Sequence, residues 1–198
     1  MEISFETLIL IAIAVLVVVV AVASYLISQS RRRAWEELAN RLGMTFSPGN
    51  WWGSGMSISG TYRSQRLTLD KFVRRRGNSS ITFTRAVVLM MQPTGLELDI
   101  YTEGLFSRIG KIMGMKEIQT GDEGIDDRYI IRGQPEEMVL RLLQNYDVRQ
   151  KLVEAPSLRI KVRGAEIHYE KRGFIKDENT LVALFELMTS LARGIERL

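Results

Sequence analysis

The sequence predicts an α+β protein, in which one N-terminal transmembrane helix precedes a single domain with a mainly antiparallel sheet and about four helices. Three observations lead to this fold class. A charge-free apolar run at residues 8–27 is long enough to cross a bilayer. Short segments of alternating apolar and polar residues follow, bounded by turn residues, and other segments repeat apolar residues at helical spacing. A split barrel of the pleckstrin-homology kind with an inserted helix is the alternative.

The apolar run from Leu8 to Ile27 has twenty residues, of which only Ser24 and Tyr25 carry polar side-chain atoms. As an α-helix it spans about 30 Å, the thickness of the hydrocarbon core. A cleaved signal peptide is one alternative, since residues 21–24 read AVAS. However, residues 1–7 are acidic rather than basic, and the run exceeds the usual apolar length of such peptides. A buried core helix is the other alternative.

Three arginines directly after the run, Arg31, Arg32 and Arg33, predict its orientation. The positive-inside rule places residues 1–7 outside the cell membrane and the C-terminal side in the cytoplasm. We expect the arginines to lie among anionic head groups, with Trp35 as an interfacial aromatic residue. The expected organisation is therefore a span at 8–27, a basic juxtamembrane helix and loop at 28–55, and a cytoplasmic domain at 56–198.

Charge is distributed unevenly along the chain. Residues 31–95 hold eleven Lys or Arg against three acidic residues, whereas residues 96–198 have a net charge of −2. A charge gradient that follows distance from the lipid favours a membrane-surface role over nucleic-acid binding. The absence of cysteine excludes disulfides and thiolate metal sites, and it is consistent with a reducing compartment.

The elements up to residue 113 are predicted in the following order. A short amphipathic helix at 34–44 is continuous with the span, because nothing between them breaks a helix. A loop at 47–57 includes Trp51 and Trp52, which pack in the core or anchor at the interface. A hairpin turning at Ser64 and Gln65 follows, then a central strand within 79–93, a strand at 96–101 and a helix at 104–113.

The C-terminal elements are a strand at 127–133, a helix from Pro135 to about residue 155, a hairpin at 157–173 and a last helix capped by Asp177. A hairpin turn at Arg163 and Gly164 would place Ile160 opposite Ile167. His168 is then expected to face solvent, as a histidine without catalytic or metal partners.

A second arginine triplet, Arg74, Arg75 and Arg76, falls at the expected tip of a hairpin. Runs of like charge usually form a solvated loop. Because the tether keeps the domain close to the bilayer, the triplet is also a candidate contact for anionic lipid or for a protein partner.

The acidic segment at 120–128 holds the only candidates for a metal site, Asp122, Asp126 and Asp127. Their spacing does not match a calcium loop, and no second carboxylate cluster completes the coordination. The favoured interpretation is a turn in which Asp side chains accept hydrogen bonds from nearby backbone. No metal and no cofactor are predicted.

The segment from Lys116 to Leu143 resembles a family of uncharacterised prokaryotic membrane-anchored proteins, through Gly121, Asp122, Asp126 and Pro135. Tyr129 matches an aromatic position of the pattern, whereas Ile125 replaces the other one. The resemblance covers roughly residues 116–198. It implies anchoring by a single span and gives no catalytic residue.

Together these features favour a non-enzymatic, membrane-tethered cytoplasmic domain that binds a protein partner or the anionic membrane surface. A cation-dependent enzyme that uses the carboxylates of residues 122–127 is one alternative. A structural subunit of a membrane complex, in which the last helix packs against a neighbour, is the other.

Overall fold

The computed structural model describes residues 5–50, 55–102, 116–155 and 158–198. Within them, the helices are α1 (Phe5–Leu42), α2 (Glu123–Asp126), α3 (Glu136–Gln144), α4 (Tyr146–Glu154) and α5 (Glu178–Ile195). The strands are β1 (Thr45–Ser47), β2 (Ser57–Tyr62), β3 (Gln65–Arg76), β4 (Ser79–Leu89), β5 (Glu97–Thr102), β6 (Tyr129–Gln134), β7 (Arg159–Arg163) and β8 (Glu166–Arg172).

The α+β prediction is confirmed: the strands form one antiparallel sheet in the order β1-β2-β3-β4-β8-β7-β5-β6. Among the described residues, β1 and β6 lie at its two edges, and no pairing between them closes the sheet. The predicted helix at 104–113 and the two tryptophans at 51 and 52 lie outside the described residues.

The apolar run and the amphipathic helix after it form one continuous helix, α1, as expected. Its 38 residues extend over about 57 Å. The described part of the chain has one helix that is long and apolar enough to cross a membrane, and its most apolar window has a mean hydropathy of 3.1 with none of it buried. By contrast, Trp35, Leu38 and Ala39 are buried in the domain core.

The core lies between one face of the sheet and the helices. Alternation along each strand directs apolar side chains toward this face, for example Ile160 and Val162 of β7 and Ile167 and Tyr169 of β8. The helix α5 buries eleven of its residues here. As predicted, Asp177 caps α5, and its carboxylate accepts a hydrogen bond from the backbone amide of Thr180 at 2.7 Å.

Two predicted turns are each displaced by one residue. The β2–β3 turn is formed by Arg63 and Ser64, both with positive φ, and Tyr62 is therefore opposite Gln65. In the β7–β8 hairpin Arg163 is opposite Glu166, which places Ile160 opposite Tyr169 instead of Ile167. In both hairpins the core-facing residues keep their face, because a displacement of the turn by one residue shifts the pairing by two.

Two other differences concern short elements. The helix predicted from Pro135 to residue 155 is divided in two at Asn145, whose side chain accepts hydrogen bonds from the amides of Asp147 and Val148 and caps α4. The strand β1 and the four-residue helix α2 were not predicted, because segments of three and four residues are too short to show periodicity.

Candidate functional site

A groove of about 540 Å³ lies between α1 and β3, which it meets at Lys71. We call it the juxtamembrane groove. One end of its wall belongs to the apolar run of α1, and the other end is basic. The described residues that line it are Ala21, Ser24, Tyr25, Ile27, Ser28, Gln29, Arg31, Arg32, Met56 and Lys71. None of these side chains is a carboxylate.

Three cations, Arg31, Arg32 and Lys71, line the basic end of the groove. The pKa of the Lys71 ammonium is lowered from 10.5, first by burial and then by the positive charges of Arg31 and Arg32. The backbone of Lys71 is fixed, since its amide donates a hydrogen bond to the Met56 carbonyl at 3.0 Å. The groove therefore concentrates like charge at a defined position, which favours an anion there.

The first arginine triplet is divided between two sides of α1. Arg31 stacks on the Phe174 ring, with its guanidinium carbon 5.3 Å from the ring centroid. Arg32 donates a hydrogen bond from Nη2 to the Asn50 carbonyl at 2.6 Å. Arg33 instead lies beside Lys176 in a neighbouring cavity, which shares Tyr25 and Gln29 with the groove. Two of the three arginines therefore belong to the juxtamembrane groove.

The second triplet lies in the last residues of β3, next to a turn at residues 77 and 78, rather than in a loop. Alternation along the strand separates its members, because neighbouring residues point to opposite faces. Arg74 lies on the face away from the helices, where it pairs with Glu170 at 3.2 Å and covers the Phe83 ring at 4.9 Å. Arg75 is exposed and shares the face of Lys71, and the side chain of Arg76 lies outside the described ones.

The tip of this hairpin extends beyond the sheet. Strand pairing with β2 ends at Asp70 and strand pairing with β8 ends at Phe83, so the strand partners of residues 73–82 lie within the hairpin itself. One further backbone bond joins this segment to the sheet, from the Gly173 amide to the Thr82 carbonyl at 2.8 Å. We call this segment the projecting ribbon. At its base the rings of Phe72 and Phe83 stack at 5.4 Å, and Arg85 covers Phe72 at 5.0 Å. Cross-strand aromatic pairs of this kind stabilise a two-stranded segment that is otherwise marginal.

The projecting ribbon extends toward the apolar run. Near the end of α1, Met44 packs against Gly60, which is opposite Leu67 in the sheet. Four residues further along β3, Lys71 already faces Arg31 and Arg32. From Leu67 to Lys71, β3 therefore runs toward the apolar part of α1. The five residues that follow Lys71, up to Arg76, add about 17 Å in the direction of the apolar run.

Trp35 is not an interfacial residue, which corrects the expectation from the sequence. Its side chain is 0% exposed. The indole Nε1 donates a hydrogen bond to the Ile175 carbonyl at 2.9 Å, and the ring stacks on Phe174 at 4.8 Å. Trp35 therefore joins α1 to the segment between β8 and α5, and the helix leaves the domain in a fixed direction.

The acidic segment is a local hydrogen-bonded turn, as favoured from the sequence. The Asp126 carboxylate accepts bonds from the Thr120 amide at 2.9 and 3.0 Å, from the Thr120 hydroxyl at 2.8 Å and from the Gly121 amide at 2.9 Å. Asp122 caps α2 and pairs with Arg149. This bond from Arg149 is the main cause that lowers the pKa of Asp122.

Across the described ranges, no group of three His, Cys, Asp or Glu side chains is placed to hold a metal ion. Asp127 is the C-cap residue of α2 and contributes to no such group. Most oxygens of Asp122 and Asp126 already accept hydrogen bonds from the protein. The segment therefore does not offer the open carboxylate shell that a hard cation requires.

His168 lies on the open face of the sheet, as expected. Its Nε2 is 2.7 Å from a Glu166 carboxylate oxygen. It shares a shallow cavity of about 340 Å³ with Arg74, Arg159, Lys161 and Glu170. The arrangement is a network of surface charges, in which the basic side chains outnumber the two carboxylates, Glu166 and Glu170.

Lys71 is the site residue that the sequence analysis missed. Leu67 and Leu69 occupy alternate, core-facing positions of β3, and Lys71 occupies the next such position. That position is a signal for a polar site under the helices. Its partners Arg31 and Arg32 are forty residues away in the chain, and only the packing of α1 on the sheet brings them together.

The structure thus defines a class of protein: an antiparallel α+β domain carried on an N-terminal apolar helix, with a basic surface at their junction. No protein-family model matches the chain, and no curated protein matches it by sequence, which is consistent with the resemblance to an uncharacterised family.

Among solved structures, the fold is similar to the crystal structure of the mycobacterial trehalose monomycolate transport factor A, TtfA. The TM-score is 0.51 with 11% sequence identity, and the match covers 85% of this chain and 92% of that chain. The similarity is one of fold. It extends over most of both chains.

Proposed function

We propose that this protein is a single-pass membrane protein whose α+β domain lies on the cytoplasmic side and docks on the anionic surface of the bilayer. The apolar part of α1 supports the anchor. The arginines that follow it support the orientation, with the N-terminus outside. The absence of cysteine is consistent with a reducing compartment.

One observation carries the docking proposal: the basic end of the juxtamembrane groove and the projecting ribbon lie at the same end of the domain, next to the span. Arg31, Arg32 and Lys71 line one cavity, and Arg75 follows Lys71 on the same face of β3. Cations near an anionic leaflet contribute about 1 kcal/mol each. Because Trp35 fixes α1 to the core, the helix presents this end of the domain to the lipid.

Binding is favoured over catalysis because the carboxylates that a cation-dependent enzyme would use have structural partners. Asp126 closes the turn at Thr120 and Gly121, and Asp122 caps α2 and pairs with Arg149. A carboxylate held in this way is a poor general base or cation ligand unless the turn opens.

A second candidate function is an accessory subunit of a membrane transport assembly. The fold similarity to a protein described as a transport factor favours it. A single span cannot enclose a passage through the bilayer, so the chain would regulate or position a separate transporter. The interaction would not use the apolar face of α5, which its own domain buries.

Single-cysteine spin labels test the docking proposal cleanly, because the natural chain has no cysteine. The full-length chain carries a label at Val73→Cys, in the projecting ribbon, or at Met91→Cys, which is 89% exposed beyond the opposite end of β4. Both variants are reconstituted into bilayers of phosphatidylcholine with or without phosphatidylglycerol. The depth of each label follows from its collision rates with oxygen and with a water-soluble nickel chelate.

We expect the Val73 label to lie at head-group depth when phosphatidylglycerol is present, and the Met91 label to remain in water. Arg75→Ser should weaken docking about fivefold, the equivalent of about 1 kcal/mol. Equal accessibility of both labels, unchanged by anionic lipid or by salt, would overturn the docking proposal.

A further inference from the structure

The juxtamembrane groove changes character along its length, from apolar to basic. Ala21, Ser24 and Tyr25 line one end, and Arg31, Arg32 and Lys71 line the other. Between Ala21 and Arg32 the helix rises about 16 Å. If α1 spans the bilayer, the apolar end faces acyl chains and the basic end lies at the head groups. The groove is therefore apolar where the acyl chain of a lipid would lie and basic where its head group would lie.

We propose that the juxtamembrane groove holds one anionic phospholipid of the cytoplasmic leaflet, with its phosphate between Arg31, Arg32 and Lys71 and an acyl chain along Ala21 and Ser24. This inference rests on the proposed function, because it requires the span and its orientation. It goes further by assigning a discrete site with one occupant, whereas surface docking needs only a field of charge.

Charge complementarity identifies the occupant. Three cations line the basic end, and no carboxylate lines the groove among the described residues. Lys71 is close enough to Arg31 and Arg32 for their charges to affect its titration. A phosphate between them would replace this repulsion by charge-assisted hydrogen bonds. The volume of about 540 Å³ is within the usual range for a small-molecule site.

The preference should come from the head group and hardly at all from the acyl chain. An acyl chain exchanges one apolar environment for another when it moves from bulk lipid to the helix surface. The apolar wall therefore sets the position of the lipid along the helix. The cations set its chemistry, and they select anionic over zwitterionic phospholipids.

The site is built on fixed elements. Hydrogen bonding to Met56 places the backbone of Lys71, stacking on Phe174 orients Arg31, and the Asn50 carbonyl accepts a bond from Arg32. Because two of the three cationic side chains are held before a ligand arrives, less side-chain freedom is lost on binding. This distinguishes the groove from a mobile basic tail, which would bind anionic lipids without a fixed stoichiometry.

Two pairs of variants separate the groove from its surroundings. Ser24→Trp fills the apolar end, and its control Val22→Trp places the same ring on the exposed surface of α1 outside the groove. Lys71→Gln removes a groove cation, and its control Arg33→Gln removes a cation from the cavity beside Lys176. The first pair introduces the same residue at both positions, and each variant of the second pair removes one positive charge.

The full-length chain is reconstituted in nanodiscs of mixed phosphatidylcholine and phosphatidylglycerol and is analysed by native mass spectrometry. We expect one retained phosphatidylglycerol per chain. Lys71→Gln should lower retention about fivefold, and Ser24→Trp should abolish it. Both controls should retain the lipid as the natural chain does. Free glycerol phosphate in excess should not displace it, which separates a lipid site from a phosphate site.

Retention of the two lipids in their nanodisc proportions, or equal losses in a variant and its control, would overturn the groove site. Displacement by glycerol phosphate would overturn the lipid as its occupant. The spin-label depths decide the proposed function separately. A Val73 label at head-group depth without specific lipid retention would leave surface docking standing and refute the groove.

Discussion

Trp35→Ala should strongly destabilise the domain, because Trp35 is a core residue on the helix that also contains the apolar run. The substitution removes a fully buried indole and the stacking partner of Phe174, and it leaves the Ile175 carbonyl without its donor. Replacement of a buried Trp by Ala costs about 3–5 kcal/mol. With about 4 kcal/mol lost, the unfolded fraction rises about a thousandfold, at about 1.4 kcal/mol for each factor of ten.

The assay must report on the domain and not on the span, which stays helical in detergent. The full-length chain in non-ionic micelles is equilibrated in urea, and a short protease pulse measures the folded fraction. With an m-value of about 2 kcal/mol per molar, the midpoint for Trp35→Ala should fall by about 2 M. Trp35→Phe keeps most of the packing and loses the N–H donor, so a smaller fall of roughly 0.5–1 M is expected.

Tyr25→Ala is the matched control, since Tyr25 is 51% exposed and lies in the apolar part of α1. Its midpoint should stay within about 0.3 M of that of the natural chain. Equal midpoints for Trp35→Ala and Tyr25→Ala would contradict the core role of Trp35. They would mean that α1 and the domain are joined loosely and that the direction of the helix is not fixed.

Gly133→Ala should lower the free energy of unfolding by about 3 kcal/mol in the same urea titration, because the added Cβ would lie 2.6 Å from a backbone carbonyl oxygen of β5. Gly95→Ala is the control and should change little, since no atom lies within 4 Å of a Cβ at that position. Asp126→Asn should lower the urea midpoint, because both carboxylate oxygens accept hydrogen bonds and an amide has only one oxygen. Calorimetric titration of the natural chain with Mg²⁺ or Ca²⁺ should give no binding heat. Stoichiometric binding of a cation would contradict this prediction. The pKa of Asp177 is lowered from 3.8 mainly by the Thr180 hydroxyl, so its stabilisation is complete above pH 3.8 and is lost as pH falls through the lowered pKa. Asp177→Ala should therefore be less stable than the natural chain at neutral pH, and this difference should shrink in acid; a difference that does not change with pH would exclude the carboxylate as its cause.

The helices that pack by a long apolar stripe were predictable from the sequence. The stripe and the cap of α5 identify the helix and its first residue, because eighteen residues repeat one pattern. Continuity of α1 was also predictable, since no glycine or proline interrupts it before Gly43. In both cases the signal is local and extends over several turns.

The register of the hairpins was not predictable, because the competing registers keep the same residues in the core. Shifting the turn of β7 and β8 by one residue moves Ile160 from Ile167 to Tyr169, and both are apolar partners. The turn at Arg63 and Ser64 has positive φ at both residues without the usual Asn or Gly. Composition therefore did not identify the turn.

The candidate site was predictable only in part. Both arginine triplets are evident in the sequence, but the structure divides the members of each between different faces. In the first triplet the helical phase turns Arg33 away from Arg31 and Arg32. In the second, strand alternation places Arg74 and Arg75 on opposite faces of the sheet. The role of Trp35 was wrong because proximity to the span suggested an interface, whereas packing on Phe174 places it in the core. The alternation of β3 marks Lys71 as an unusual core-facing lysine, but its proximity to Arg31 and Arg32 depends on tertiary packing.

The side of the membrane on which the domain lies is the most direct test of the whole account. Met91→Cys places a single, highly exposed thiol on the domain, and a membrane-impermeant maleimide is applied to intact cells and to inside-out vesicles. A domain on the cytoplasmic side would be labelled in the vesicles alone. Labelling in intact cells would put the domain outside, where neither the arginines after the span nor the groove would face the cytoplasmic leaflet.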